Sequence, residues 1–408
     1  MNQAAGTFVT SEGTVYRDRK RHMWIVSVLV PGLIFVGPAL YLATGNALWL
    51  WAPLAFHYGV IPALDYLLGE DRSNPPEEVV PQLEQDPYYR YVTYMLVPVI
   101  WGAFIFSAWF VGTQELPLHG VIAMILLTGG ICGFGMNLGH ELGHKNNRLE
   151  RSLAKFVLAP GLYGHFFIEH NKGHHRDVAT PEDPASSRMG ESIWKFVFRE
   201  IPGAFVRALK LEKTRLEKKG KSAWSLENEI LQPALITAVL WGALIWAFGP
   251  VMVPFLIAVA VWGAFQLTSA NYIEHYGLLR QKLDNGRYEP PKPHHSWNSN
   301  HLFSNWASFH LQRHSDHHAN PTRRYQSLRH FEELPSLPNG YFGMFMAAYI
   351  PPLWFAIMDP RLVEHVDHDA SRINFDPKAR ERLIRKYNLR DKQADHDTAT
   401  ETGQASPA

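Results

Sequence analysis

Six strongly apolar runs of about 20 residues, five of them without a charged residue, limit what this chain of 408 residues can fold into. A helix of about 20 apolar residues crosses the hydrocarbon core of a bilayer, so runs of this length indicate membrane spans. They occupy residues 23–43, 47–68, 92–112, 118–139, 233–248 and 251–272, and short breaks join them in pairs. The pattern predicts an all-α integral membrane protein with six transmembrane helices in three hairpins.

The basic residues predict the orientation. All 39 Lys and Arg residues fall on one side of this arrangement, because the three short breaks within the pairs contain none. Cytoplasmic segments of membrane proteins carry the excess of Lys and Arg. Both termini and a histidine-rich helical cap are therefore expected in the cytoplasm. Buried helices of a soluble protein are the alternative, but such helices rarely sort every cation to one end.

These spans divide the chain into membrane and cytoplasmic segments. The expected segments are a cytoplasmic tail at 1–22, transmembrane helices 1–4 within 23–139, a first part of the cap at 140–232, transmembrane helices 5 and 6 within 233–272, a second part of the cap at 273–390, and a tail at 391–408. That last tail is polar and rich in small residues, which favours disorder.

Two further patterns concern the membrane surface. Residues 201–221 mix apolar and basic residues at helical spacing, which predicts an amphipathic helix lying on the bilayer. The apolar stretch 341–358 is interrupted by Pro351 and Pro352. We therefore expect a surface or re-entrant element there rather than a seventh span.

Histidines are concentrated at spacings that suit metal ions. Of the 21 histidines, 14 fall between positions 140 and 318. Residues i and i+4 share one face of a helix, so two imidazoles at this spacing can bind one ion. Eight histidines form three such groups, and a ninth, His275, ends the sixth span. The eight are His140 and His144, then His170, His174 and His175, and then His314, His317 and His318.

Nine imidazoles imply two metal ions, because a structural zinc takes about four ligands. The single cysteine excludes a disulfide framework and a four-thiolate centre within this chain. Imidazole suits Zn, Cu, Fe and Ni alike, so the ligand type does not name the metal. A redox-active metal with open positions is favoured, because the ligands face an apolar compartment where hydrolysis would lack water.

Metal-bound imidazoles also need hydrogen-bond partners for their second nitrogen. The residues best placed in sequence for this supporting role are Glu141, Glu169, Asp183, Glu274, His310 and Asp316. Their proximity to the histidine groups is the only basis for this prediction.

Two other classes of protein fit parts of the pattern. The segment from His140 to His144 matches the zinc protease motif, in which the intervening glutamate activates water. That scheme leaves seven grouped histidines without a role. A metal transporter should carry ionisable residues along several spans, but four of the six spans have none.

Four segments together carry a family resemblance. The segments HELGHK at 140–145, EHNKGHH at 169–175, NYIEHYG at 271–277 and LQRHSDHH at 311–318 resemble the integral-membrane alkane 1-monooxygenases. The three histidine boxes alone are shared with the membrane fatty acid desaturases and related hydroxylases, which remain the alternative. The NYIEHYG segment is the more discriminating one.

The resemblance implies a specific chemistry. Members of this family insert one oxygen atom of O2 into the terminal methyl group of a medium-chain or long-chain n-alkane, at a non-haem di-iron site. The nine histidines would hold the two irons. Electrons would come from rubredoxin, reduced by rubredoxin reductase and NAD(P)H, at the bacterial inner membrane. The lone Cys132 agrees with an external donor, and a net charge of +1 gives no field to attract nucleic acid.

An alkane dissolved in the bilayer needs an apolar path to the metals. We expect His57, Phe134, Leu138 and Leu267 to form the walls of that pocket. For His57 and Asp65, which are polar residues within the second span, ordinary hydrogen bonding is the alternative. A basic rim for an acidic electron donor is expected at Lys145, Arg148, Arg151, Arg323, Arg324 and Arg329.

Overall fold

A computed structural model describes residues 5–390 of the chain. Within this range the protein is mostly helical, and its strands Thr7–Val9 and Val15–Arg17 form one small antiparallel hairpin. The tail at 391–408, for which disorder is predicted, lies outside the described residues.

Six helices in the described range are long and apolar enough to cross a membrane, which confirms the predicted all-α membrane architecture. They are Arg21–Thr44, Ala47–Leu68, Pro87–Thr113, Leu118–Gly143, Leu231–Phe248 and Met252–His275, here called spans 1 to 6. Spans 4 and 6 continue beyond the apolar runs that predicted them, since helical hydrogen bonding does not stop where the composition changes. His140 and His275 therefore lie in the last turns of membrane helices.

Spans 4 and 6 approach each other closely because glycines line their contact. A Cβ atom on Gly133 would lie 2.9 Å from Cβ of Gln266, and one on Gly263 would lie 2.8 Å from Cβ of Cys132. Small residues let membrane helices pack backbone to backbone. This contact holds the two helix ends that carry His140 and His275 beside each other.

The cap is built from shorter helices. In the described part of the chain they are Val80–Gln85, Arg148–Leu158, Phe166–Glu169, His175–Asp177, Ile193–Glu217, Leu302–Ala307, His314–Ala319, Tyr341–Tyr349, Pro351–His365 and Arg380–Tyr387. The predicted amphipathic helix is longer than expected and begins at Ile193, because the Ser192 side chain accepts a hydrogen bond from the Lys195 backbone and caps it.

The apolar stretch with two prolines is bent, not straight. Helices Tyr341–Tyr349 and Pro351–His365 meet at an angle of 119°. Proline lacks a backbone N–H and cannot continue a helix from the preceding turn, so the break falls at Ile350. The first of the two helices packs against span 6.

Within residues 5–390, two turns of π-helix interrupt the regular helices, at Phe56–Val60 in span 2 and at His170–His174 in the cap. Wide turns of this kind are rare and often occur at functional positions. The first contains His57, and the second contains His170 and His174 of the second histidine group.

Candidate metal centre

The nine grouped histidines lie together in two clusters. The five-histidine cluster comprises His140, His144, His170, His175 and His317, and the four-histidine cluster comprises His174, His275, His314 and His318. Within each cluster the candidate ligand atoms all lie within 4.8 Å of one another.

Neighbouring histidines in the sequence contribute to different clusters. His174 and His318 belong to the four-histidine cluster, whereas the adjacent His175 and His317 belong to the other. Adjacent residues on a helix point about 100° apart, because a turn contains 3.6 residues. In the π turn, residues five apart come onto one side, and Nε2 of His170 and His175 lie 3.0 Å apart. This turn therefore divides the second histidine group between the clusters.

The ring nitrogens face one another as metal ligands would. Nε2 of His175 lies 3.0 Å from Nε2 of His170 and 3.1 Å from Nε2 of His317, and Nε2 of His318 lies 2.9 Å from Nε2 of His314. One protonated ring nitrogen can satisfy only one such contact. The buried Nε2 atoms of His140, His144, His174 and His275 have no partner among the described residues. Two cations bound at the clusters would satisfy these nitrogens, so the residues fit a pair of metal ions.

Burial keeps the cap imidazoles in the form that binds metals. Neutral imidazole is the ligand, and loss of hydration disfavours the charged ring. Burial accordingly lowers the pKa well below its usual range in His144, His170, His175, His314, His317 and His318. At His174 the nearby Asp183 carboxylate outweighs burial and raises the pKa.

Asp183 is the predicted partner that contacts an outer ring nitrogen. Its Oδ2 atom lies 2.9 Å from Nδ1 of His174 and accepts a hydrogen bond from the Ser186 hydroxyl at 2.7 Å. A carboxylate at Nδ1 orients the ring and strengthens Nε2 as a ligand. At His275 the carbonyl of His295 and the hydroxyl of Ser296 take this position, each 3.5 Å from Nδ1.

Arg207 was not singled out in the sequence, where it is one cation in a basic run. The structure places its guanidinium against three carboxylates: it donates to Asp183 at 2.7 Å, to Glu169 at 3.0 Å and to Asp177 at 3.3 Å. The part of the amphipathic helix that carries Arg207 therefore faces the histidines, not lipid. Arg207 fixes the carboxylate that orients His174.

Four of the other predicted partners do not hydrogen-bond to a clustered ring. Glu141 pairs with Lys145, Glu169 pairs with Arg207, and Asp316 accepts from Asn320 and Arg323. Each of these carboxylates is adjacent in sequence to a clustered histidine, so on a helix it points away from that histidine's face. His310 interacts instead with the Tyr325 carbonyl, 2.9 Å from its Nδ1.

Glu274 is different because it faces the ligand side of a ring. Its Oε2 atom lies 3.3 Å from Nε2 of His314, the nitrogen that also faces His318. The other oxygen, Oε1, is buried without a hydrogen-bond partner among the described residues. Glu274 thus lies between the four-histidine cluster and an apolar cavity that it helps to line.

An apolar cavity, here called the main cavity, extends from the histidines into the membrane region. Its metal end is formed by His140 and His170 of one cluster and His314 of the other. Toward its far end lie Ile34 and Leu126. The cavity therefore reaches both clusters at once.

Three of the four predicted wall residues line this cavity, namely His57, Phe134 and Leu267. Leu138 does not line it, because it is fully buried in the main hydrophobic core. The walls also include polar residues that were not predicted: the Tyr58 hydroxyl donates to Gln266 at 2.6 Å, and Asn137 donates to the Ser308 carbonyl at 2.9 Å. A glutamine within an otherwise apolar span is the signal that could have indicated Gln266.

The polar residues of span 2 have separate roles. Asp65 is fully buried and accepts a hydrogen bond from the Ser304 backbone at 2.9 Å, so it holds the cap to the membrane helices. His57 does not reach across the bundle: its Nδ1 donates to the Pro53 carbonyl of its own span at 2.6 Å.

The cations expected to form a basic rim are largely neutralised. Arg324 pairs with the buried Glu150 at 2.8 Å, and Arg323 pairs with Asp316 at 3.1 Å. Lys145 is buried against Glu141. Two of the predicted cations, Lys145 and Arg151, line a second cavity beside His144, together with Lys172. Arg151 pairs there with Glu229 at 3.2 Å, and Lys172 is exposed.

Comparison with known proteins agrees with this site. The family model described as fatty acid desaturase matches residues 115–355. The chain is 55% identical to alkane 1-monooxygenase 1 of Alcanivorax borkumensis, over 94% of this chain and 95% of that protein. It is 54% identical to the alkane 1-monooxygenase of Ectopseudomonas oleovorans, over 94% of this chain and 96% of that protein. The Pseudomonas putida alkane 1-monooxygenase is 55% identical, over 91% and 92%.

A helical membrane fold with two buried histidine clusters, matched by this family model, defines a membrane oxidoreductase of the histidine-box class. Within that class, the chain belongs to the alkane 1-monooxygenase family.

Proposed function

We propose that the protein hydroxylates the terminal methyl group of medium-chain or long-chain n-alkanes at a non-haem di-iron site. The observation that carries the proposal is the apolar cavity that ends on histidines of both clusters. In the balanced reaction, an alkane, O2, two electrons and two protons give a 1-alcohol and water. One C–H bond breaks, one C–O bond forms, and the second oxygen atom leaves as water.

The chain's own residues supply binding and orientation. A pair of iron ions held by the nine histidines would supply the activation of O2. The walls of the cavity, which include Phe134, Leu267 and Phe342, exclude water and hold the alkane lengthwise. Because His140, His170 and His314 bound one end of this cavity, an alkane that lies lengthwise in it places one terminal carbon there.

The electrons must come from another protein, for which we propose rubredoxin with its NAD(P)H-dependent reductase. The chain's one cysteine, Cys132, is buried between spans 4 and 6. His144 and His175 are only half-buried, whereas the other seven clustered histidines are buried. The donor site is therefore the surface around His144, where the exposed Lys172 lies beside the second cavity. An acidic redox protein fits this charge.

The proposed location is the bacterial inner membrane, with both termini in the cytoplasm. A soluble donor then reaches the cap from the cytoplasm while the alkane enters from the bilayer. The excess of Lys and Arg on the cap side supports this orientation.

Fatty acid desaturation is the second candidate, because the matching family model is described by that activity. The two functions differ in product, since a desaturase would form an alkene within an acyl chain. A zinc protease with the HExxH motif is less well supported. Its glutamate, Glu141, forms an ion pair with Lys145, and its two histidines, His140 and His144, belong to a cluster of five histidines.

Purified, iron-loaded protein tests the proposal. Metal analysis should find about two irons per chain, since nine imidazoles exceed the roughly four ligands of one site. With rubredoxin, its reductase and NAD(P)H, n-octane should give 1-octanol by gas chromatography. Zinc as the bound metal, or an alkene from a fatty acyl substrate without alcohol from n-octane, would overturn it.

A further inference from the structure

His57, which lines the main cavity, has one ring nitrogen without a hydrogen-bond partner among the described residues. His57 Nδ1 is 2.6 Å from the Pro53 carbonyl, which can only accept, so Nδ1 carries the proton. In a neutral imidazole the other nitrogen, Nε2, is then an acceptor with a free lone pair. Among the described residues, no group donates to it. The neighbouring Tyr58 hydroxyl is already used, because it donates to Gln266 at 2.6 Å.

The ring of His57 lies between two aromatic walls of the cavity. Its centroid is 5.8 Å from that of Phe134 and 6.0 Å from that of Phe342. A bound water needs two to four polar partners, and these two rings provide none, while the nearby Tyr58 and Gln266 are hydrogen-bonded to each other. The surroundings thus suit the single hydroxyl group of an otherwise apolar molecule, which needs one acceptor and an apolar path.

The acceptor is separated from the metal end by a distance that a carbon chain can span. Phe134 and His140 are six residues apart on span 4, so about 9 Å separates their levels at a rise of 1.5 Å per residue. Carbon–carbon bonds of about 1.5 Å advance a zigzag chain by somewhat less each. A primary alcohol of about eight carbons can therefore place its hydroxyl at His57 and its methyl group at the metal end.

We infer that this protein also hydroxylates the far end of medium-chain primary alcohols, with the existing hydroxyl bound to Nε2 of His57. This inference rests on the proposed function, from which it takes the iron centre, O2 and the electron donor. The alcohol, O2, two electrons and two protons give an α,ω-diol and water. The terminal C–H bond breaks, a C–O bond forms, and the second oxygen atom leaves as water.

The opposite orientation of the same substrate gives a different product. With its hydroxyl end at the metals, an alcohol consumes O2, two electrons and two protons and yields the aldehyde with two waters. The ratio of diol to aldehyde therefore reports which end of the alcohol is at His57. It does not depend on how much active enzyme a preparation contains.

The test uses the iron-loaded enzyme with its donor system and 1-octanol. His57→Phe keeps an aromatic ring but removes the acceptor, and we expect the ratio of 1,8-octanediol to octanal to fall roughly three- to tenfold, which corresponds to one ordinary hydrogen bond. His57→Gln retains an acceptor and should retain most of the ratio. Phe342→Leu changes the shape of the wall without removing an acceptor, and should change the ratio less than His57→Phe does.

The outcomes separate this inference from the proposed function. An unchanged ratio in His57→Phe would overturn the inference, as would a wild-type enzyme that converts n-octane to 1-octanol but forms no diol from 1-octanol. Failure to convert n-octane at all would overturn the proposed function first. Iron content of each variant, measured alongside, shows whether the clusters are intact.

Discussion

All four rings of the four-histidine cluster are buried, whereas two of the five rings in the other cluster, His144 and His175, are half-buried. The first cluster is also braced from outside by Asp183 and by the His295–Ser296 segment. The second adjoins a small cavity beside Lys172. Under the proposed function, this difference indicates a division of tasks: one cluster is enclosed in the interior, and the other lies where the proposed soluble donor can come close.

Removal of one ligand should have the largest effect. His140→Ala and His314→Ala are expected to abolish hydroxylation and to lose at least one metal ion, while the chain still inserts, because the spans do not depend on the site. The four-histidine cluster keeps only three imidazoles in His314→Ala, so it should lose its ion more completely than the other cluster does in His140→Ala. Metal analysis of membrane-inserted protein checks this, and full activity in either variant would contradict the assignment.

Removal of Arg207 should destabilise the bracing of the four-histidine cluster. Arg207→Gln leaves Asp183 and Glu169 buried without their cation, and loss of one partner from a buried pair costs about 3 to 5 kcal/mol. We expect a lower free energy of unfolding by about that amount in detergent denaturation. Lys213→Gln is the matched control, because its pair with Glu217 is exposed and contributes little. Equal decreases in the free energy of unfolding for the two variants would show that Arg207 stabilises the protein no more than an exposed ion pair does.

Asp183→Asn tests the outer partner of His174 directly. Loss of such a partner usually lowers metal affinity or activity about 10- to 100-fold, and we expect a decrease of this size for the ion at the four-histidine cluster. Iron titration of the purified variant measures it. Asp316→Asn is the control, because Asp316 lies beside the third histidine box but accepts from Asn320 and Arg323. A comparable loss of iron affinity in both variants would show that Asp183 supports metal binding no more than Asp316 does.

The surface beside the five-histidine cluster should give the smallest effect. Lys172→Glu is expected to raise the apparent KM for the proposed donor, rubredoxin, roughly three- to tenfold at low salt, with a smaller change at high salt, because a rim charge acts mainly on association. The same charge change in Arg385→Glu, on the C-terminal helix, should have little effect. Steady-state kinetics with varied donor concentration checks both, and a change in the KM for alkane alone would place the donor elsewhere.

The membrane architecture could be predicted because composition alone determines it. Apolar runs long enough to cross a bilayer have few other stable solutions, so the six spans follow from the sequence. Their ends could not be predicted as well: spans 4 and 6 extend to Gly143 and His275. Helical hydrogen bonding is local and continues into the cap, where the residues are no longer apolar.

Spacing in the sequence identified the nine histidines, but not how they are divided. That division depends on a π turn at His170–His174 and on which side of a helix each neighbour faces. The supporting residues were harder to predict for the same reason. Asp183 contacts a ring because a loop folds back to it and Arg207 holds it there, and neither contact has a local signature. Leu138, expected in the pocket, turns into the hydrophobic core.

The single thiol of the chain has a practical consequence. Cys132 is enclosed where spans 4 and 6 meet, next to Gly161 and Gly263. Water-soluble maleimides have no route to its sulfur, so the native chain already behaves as an unreactive background for labelling. A cysteine introduced at any exposed loop would be the one site modified, which makes the sidedness of every loop measurable in intact cells without first mutating the wild-type sequence.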